Sequence, residues 1–312
     1  MKNMKWLGML SALLCAAMLL GSCGSGSGSN NNNNSQNGQN TEQGDVNDNN
    51  DDNAADPDIN VDGSMLIKLD DAKTDVGNSG ATYKDCVLTI AKAGVYRLQG
   101  KLTDGQIYVA VGKTETVELI LDGCEITCKT GAAIYCVSAD KLYVTANAGS
   151  TNVLSDGSNY IYSAVGTDEP NACLFSDDDI TLRGSGTLTV NGNFNNGISS
   201  KNDIKIKDLN LTVNAKNTAI RGKDSVEINS GKVNVDAGKD GLKANRTDKT
   251  DKGIIEINGG EVYISAGDDA LQAYASISVN AGKVTLECAG KCYNCDAGDQ
   301  YVFVADGTVT EK

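Results

Sequence analysis

Apolar and polar residues alternate in short runs along most of the chain, and the runs repeat. The segments Ile204-Lys-Ile-Lys-Asp-Leu-Asn-Leu-Thr-Val213 and Val226-Glu-Ile-Asn-Ser-Gly-Lys-Val-Asn-Val235 share one frame. Ile255-Glu-Ile-Asn-Gly-Gly-Glu-Val-Tyr-Ile264 and Ile277-Ser-Val-Asn-Ala-Gly-Lys-Val-Thr-Leu286 fall in it too, as do Ile180-Thr-Leu182 with Leu188-Thr-Val190, and Leu119 to Cys128. After each pair of runs come a polar turn and one further apolar residue. These are Leu174, Ile198, Ile220, Leu242 and Leu271, at spacings of 24, 22, 22 and 29 residues. The long spacing holds an inserted Arg246-Thr-Asp-Lys-Thr-Asp-Lys252.

A hydrophobic residue at every second position marks a strand with one face inward. Each unit therefore predicts two alternating strands, an Asn/Asp-Gly corner between them, and a third short strand. One such unit cannot bury its own apolar face, whereas stacking like strand over like strand does so. Three strands per turn at this period predict an all-β fold, a right-handed parallel β-helix of about 22-residue coils rising about 4.8 Å each. A β-sandwich of regular hairpins is the alternative, and it leaves the recurring corner unexplained. Residues 65–115 are strand-rich but less regular, and are expected to cap the N-terminal end against edge pairing.

Composition narrows the chemistry. Two prolines and 35 glycines argue against a helical protein. The chain has no histidine, which excludes Ser-His-Asp triads, Cys-His pairs and HExxH zinc sites. With 27 Lys and Arg against 41 Asp and Glu, the net charge of −14 disfavours binding to nucleic acid.

The N-terminal stretch reads separately. Residues 1–22 begin with Lys2 and Lys5 and continue as an apolar run from Trp6 to Leu20, short for a membrane span. The sequence Leu20-Gly21-Ser22-Cys23 resembles the lipobox of bacterial lipoproteins, which implies lipidation of Cys23 and export to the cell surface, anchored to the outer face of a bacterial membrane. Residues 24–63 are rich in Asn, Asp, Gly and Ser and are expected to form a disordered tether. Residues 64–312 are read as a single β-helical domain, expected to be a monomer.

Several motifs together point to a family. Gly94-Val-Tyr-Arg-Leu-Gln-Gly100, Leu102-Thr-Asp-Gly-Gln-Ile107, Leu119-Ile-Leu-Asp-Gly123, Asp156-Gly-Ser158, Lys239-Asp-Gly-Leu-Lys-Ala244 and Gly267-Asp-Asp-Ala-Leu-Gln272 are the residues concerned. Over about residues 85–290 the chain resembles the β-helical carbohydrate-binding proteins of bacterial cell surfaces, a family similar in fold and calcium sites to family-nine pectate lyases. The resemblance implies binding of cellulose or pectic glycans, with calcium. Where that family continues into further acidic coils, this chain has a Cys-rich segment.

Stacking supplies candidate sites. The two residues before each third-strand apolar position read Asn195-Asn196, Asn217-Thr218, Lys239-Asp240 and Asp268-Asp269. Asp240 and Asp269 should lie one above the other, with Asp268 adjacent, Asp236 a few residues back and Asn196 in the same column. Carboxylates so close repel unless a cation binds, and oxygen ligands without His or Cys select Ca²⁺. Asn171, Asn195 and Asn217 suit a structural amide ladder. A second acidic row, Asp177 to Asp179 with Asp203 and Asp224, reads as solvated corners. Lys243 follows the acidic corner. In a family-nine-like lyase, a Lys beside calcium removes the proton α to a uronate carboxylate, so Lys243 is the candidate base of a lyase reading.

For glycan contact, Thr127, Thr189, Thr212, Asn234, Tyr263 and Thr285 are expected to share an outward row. Tyr143, Tyr160 and Tyr162 could add ring stacking. An acidic protein repels polygalacturonate unless a cation bridges them, which calls for calcium with pectin and not with neutral cellulose. Apart from Cys15 and Cys23, eight cysteines remain. Cys288-x₃-Cys292-x₂-Cys295 copies the spacing of radical-SAM clusters but closes an exported β-helix, so disulfides or a thiol-lined cap are expected. The chain is read as a surface lipoprotein that binds polysaccharide without catalysis. A calcium-dependent pectate lyase is the alternative, and a protein-binding adhesin a further one.

Overall fold

The structure, a computed structural model, describes residues 59–162 and 166–312. The export segment, Cys23 and most of the expected tether lie outside the described residues.

The alternating runs become strands, and the strands stack as a parallel β-helix. One column runs through Lys141–Ala146, Asp179–Arg183, Asp203–Lys207, Ser225–Ile228, Ile254–Ile257, Ser276–Val279 and Val302–Val304. A second runs through Thr151–Asp156, Thr187–Gly192, Asn210–Ala215, Lys232–Ala237, Glu261–Ala266, Lys283–Cys288 and Val309–Glu311. The long strands Gly94–Leu102 and Thr116–Cys128 turn the corner between these columns without a break, which joins the two into one 17-stranded sheet. The third column is a separate sheet of ten strands, among them Gln106–Ala110, Ile134–Ser138, Ala172–Ser176, Asn196–Ser200 and Ile220–Gly222.

The register follows the sequence frame. Ile180 pairs with Ile204, Ile204 with Val226, Val226 with Ile255, and Ile255 with Ile277. In the third sheet Leu174, Ile198, Ile220, Leu242 and Leu271 pair in turn. All of these side chains are buried, so the core is a stack of aliphatic rows along the helix axis.

The corner between the first two columns explains the recurring Asn-x-Gly. Gly231, Gly260 and Gly282 adopt φ of +95°, +90° and +99°, a region unfavourable for residues with a Cβ. A Cβ on Gly231 would also meet the Leu209 carbonyl oxygen of the preceding coil at 2.4 Å. Two residues earlier, Asn280 donates to Asn258 at 2.7 Å and Asn258 to Asn229 at 3.0 Å, so the amides form a ladder along the stack. The expected ladder at the next corner is shorter than the sequence suggested. Asn217 donates to Asn195 at 2.7 Å, while Asn171 accepts from Asn196.

Residues 65–115 close the N-terminal end of the stack and do so as its first coils. Met65–Leu69 pairs in parallel with Gly94–Leu102, and Leu88, Ile107 and Ile134 continue the same core row as Leu174. Only the hairpin Thr82–Lys84 with Val87–Ile90 is antiparallel among the described pairs of strands, and it edges the third sheet. Its two-residue turn, Asp85-Cys86, has φ of +50° and +62°, the type I′ geometry that matches strand twist.

Because Leu242 is fully buried between Ile220 and Leu271, Leu242→Ala should leave a cavity and destabilise the domain by roughly 2–5 kcal/mol. Denaturant unfolding of the full chain measures this, and a loss under about 1 kcal/mol would contradict the tight row.

Candidate functional site

The outward positions of the third sheet also stack in a row. They read Tyr108, Tyr135, Phe175, Ser199, Arg221, Lys243, Gln272 and Asn294. The row opens with three rings, packed edge to face at 5.5 Å between Tyr108 and Tyr135 and at 5.8 Å between Tyr135 and Phe175. It continues with two cations. The signal lay in the sequence, one residue after each third-strand apolar position, but the aromatic end precedes the regular repeats.

Between Thr151–Asp156 and Ala172–Ser176 the chain leaves the helix in an insertion that folds back over this row. Its anchor is Tyr160, whose hydroxyl donates to Asp156 Oδ2 at 2.8 Å and lies 2.9 Å from the Ala172 carbonyl oxygen. The Tyr160 ring stacks on Phe194 at 4.2 Å. The Ile161 amide donates to the Thr130 carbonyl, and the Tyr162 hydroxyl donates to that of Pro170. Lys201 ties the returning end by ion pairs to Glu169 and Asp177. Between insertion and sheet lies a cleft of about 610 Å³, lined by Gln106, Tyr108 and Tyr135 on one side and by Ile161, Tyr162 and Glu169 on the other. Ile161 is 76% exposed. The volume lies within the roughly 300–1,000 Å³ of small-ligand pockets.

Tyr160 and Tyr162, expected to contact glycan, therefore line one cleft. Tyr160 also holds the wall in place, and Tyr143 is elsewhere, its ring under the Arg183 guanidinium at 4.4 Å. Thr212, Asn234 and Tyr263 do share an outward row on the second column, with Thr189 and Thr285. Thr127 does not. It pairs with Ser155, and Glu125 holds the position opposite Val153 and Thr189, because the long strand Thr116–Cys128 enters the column two residues out of the expected frame.

The acidic corner is only partly assembled. Asp240 and Asp269 occupy the same column as Asn196 and Thr218, and all four are buried. Asp240 is already neutralised, since the Lys243 ammonium donates to its Oδ2 at 2.8 Å. Asp269 accepts from the Lys291 amide at 2.8 Å and from the Asn294 side chain at 2.6 Å. Asn196 bonds to Asn171, and Asp236 lies on the second column beside Asn214 and Ser265. Among the described residues, no three His, Cys, Asp or Glu side chains come together as a metal site. As placed, the five residues do not form a calcium cage.

The second acidic row is not solvated as expected. The inserted segment supplies Arg246, 2.5 Å from Asp224, and Lys252, 3.2 Å from Asp203, while Lys113 pairs with Asp178 at 2.8 Å. The eight described cysteines are all free thiols, the nearest contact being 3.2 Å between Cys288 and Cys292.

Residues 84–310 match the family described as carbohydrate-binding domain-containing protein. The chain belongs to this family. A relative with that description from Acetivibrio thermocellus is 42% identical over 155 residues, 49% of this chain and 54% of the relative, so the chain spans about half of that relative's length. A solved structure of a polysaccharide lyase-like protein from C. thermocellum, a gadolinium derivative, superposes with a TM-score of 0.77 at 38% identity. The match covers 80% of this chain and 99% of that one. The family carries a carbohydrate-binding role, and the cleft with its tyrosines lies within the matched residues.

The insertion's anchor has a pH signature. Burial pushes the Asp156 carboxyl up to about 6, outweighing the hydrogen bonds from Tyr160, Asn193 and Phe194 that lower it. A pKa raised on folding favours the folded state when the group is protonated, and that contribution is lost as pH rises through about 6. Relative to Asp156→Asn, wild-type thermal stability should therefore increase as pH falls from 7 towards 4. Equal pH profiles for the two proteins would contradict the assignment.

Proposed function

We propose that this chain is a polysaccharide-binding surface lipoprotein without catalytic activity, which holds glycan against the outside of its β-helix. Membership of the carbohydrate-binding family is the observation that carries the reading. Export and anchoring at Cys23 rest on the basic start, the apolar run and Leu20-Gly-Ser-Cys23.

Lys243 supports the non-catalytic part. A general base needs a free lone pair aimed at the substrate proton, and this ammonium is committed to Asp240. The chain has no histidine to take its place. Calcium enters the proposal as a bridge between ligand and surface. With a net charge of −14, the protein repels polyuronates such as pectic chains unless a divalent cation lies between them, whereas cellulose needs none. Exposed carboxylates such as Asp268 and Asp236 are available to such a bridge. The second reading, a calcium-dependent polysaccharide lyase acting through Lys243, is favoured by the likeness to a structure described as polysaccharide lyase-like.

The test mixes the full chain with polygalacturonate and with cellulose, with calcium or with chelator, and follows both retention and the ultraviolet absorbance of unsaturated product. Retention without new absorbance is expected, dependent on calcium for polygalacturonate alone. Rising absorbance that disappears in Lys243→Ala would replace the binding module by the lyase. Neither retention on a polysaccharide nor new absorbance would overturn both readings.

A further inference from the structure

We infer that the cleft between the insertion and the third sheet is a metal-independent subsite for a neutral pyranose chain, and that it excludes uronates. The inference rests on the polysaccharide-binding reading and adds the site and the class of sugar. Three features of the cleft carry it.

The first is aromatic. Tyr108 and Tyr135 line the sheet side and Tyr162 faces them from the insertion. The C–H face of a pyranose is apolar and carries partial positive charge, which suits the negative face of a tyrosine ring. The second is the polarity of the lining. Among the described residues, Asp85, Asp104 and Glu169 line the cleft and no Lys or Arg does. Lys84, Lys129 and Lys201 pair with these carboxylates at 3.9, 3.7 and 2.5 Å and offset part of their charge, but they do so from outside the lining.

The third is the direction of the hydrogen bonds left to make. Carboxylates only accept. Gln106 donates one of its two side-chain N–H groups to the Ala132 carbonyl, and its oxygen adds an acceptor to the cleft. A site rich in acceptors and poor in cations takes a ligand that donates. Sugar hydroxyls donate, whereas a uronate carboxylate would meet like charge with no fixed cation to receive it. The cations of the same outward row, Arg221 and Lys243, lie further along the stack and do not line the cleft. The wall is also built, not merely exposed loop, since Tyr160 fastens it to buried Asp156 and to Ala172.

The test titrates the full chain, in chelator, with neutral hexasaccharides of β-linked glucose, mannose or xylose and with hexagalacturonate. At least one neutral chain should bind and hexagalacturonate should not. Tyr162→Ala and Tyr135→Ala should each weaken that binding about tenfold or more, while Tyr135→Phe, which keeps the ring, should retain it. Thermal midpoints of the variants identify any loss caused by unfolding, and Tyr162→Ala leaves the packed Tyr108–Tyr135–Phe175 rings in place. If wild type and both alanine variants bind neutral hexasaccharides equally, the cleft is not the subsite. If the full chain is retained on a polysaccharide but binds none of these neutral chains, the inference falls and the binding reading stands. If it is retained on no polysaccharide, both fall.

Discussion

Backbone hydrogen bonds between successive coils hold each residue over its counterpart one turn earlier, and most features of this domain follow from that registry. Stacked strands make the core a set of aliphatic rows, so a residue of the wrong size or polarity is felt by the coils on either side. The same registry stacks whatever faces outward. Asparagines become amide ladders at the corners, and aspartates become close pairs that need an opposite charge. In this chain protein groups meet that need: Lys243 at Asp240, and Arg246 with Lys252 at Asp224 and Asp203. The basic residues of the inserted segment are therefore part of the electrostatic balance of the stack.

A regular solenoid presents flat sides, and flat sides make shallow binding surfaces. The cleft exists because the chain departs from the repeat between Asp156 and Ala172 and lays a wall across one side. Holding that wall takes buried polar anchors, and their cost is visible in the raised pKa of Asp156. The ring-bearing early coils and the insertion together give a concave, aromatic and acceptor-rich surface, while the cationic positions of the same row lie further along. Charge thus varies along the helix axis, with carboxylates and no cation lining the cleft and with Lys243, further along, paired to Asp240.

Much of this was legible from residue order alone. Strict alternation and a near-constant period gave the strands, the three columns and the pairing of Leu174, Ile198, Ile220, Leu242 and Leu271, because period-2 patterning and stacking leave little freedom of register. Where the pattern lapsed, so did the inference. The first coils look irregular because two strands turn a corner without a break, and Thr127 was displaced from its row for that reason. The acidic corner was placed in the right column, but proximity of carboxylates does not identify the partner. A lysine three residues away and an amide from the next coil can neutralise such a corner as a cation would. Tyr160 and Tyr162 stood out as aromatics, yet their meeting with Tyr108 and Tyr135 across a cleft depends on how an insertion folds back, which no periodicity encodes.

The position of a bound sugar on this surface is the most direct readout of how the domain binds. A crystal structure of the full chain grown with a neutral β-linked hexasaccharide, in chelator, answers that directly. Sugar rings seated between Tyr135 and Tyr162, with hydroxyls on Asp104 or Glu169, are the predicted result. Sugar along Thr212, Asn234 and Tyr263, or beside Lys243 at the acidic corner, with the cleft left to water, would contradict it.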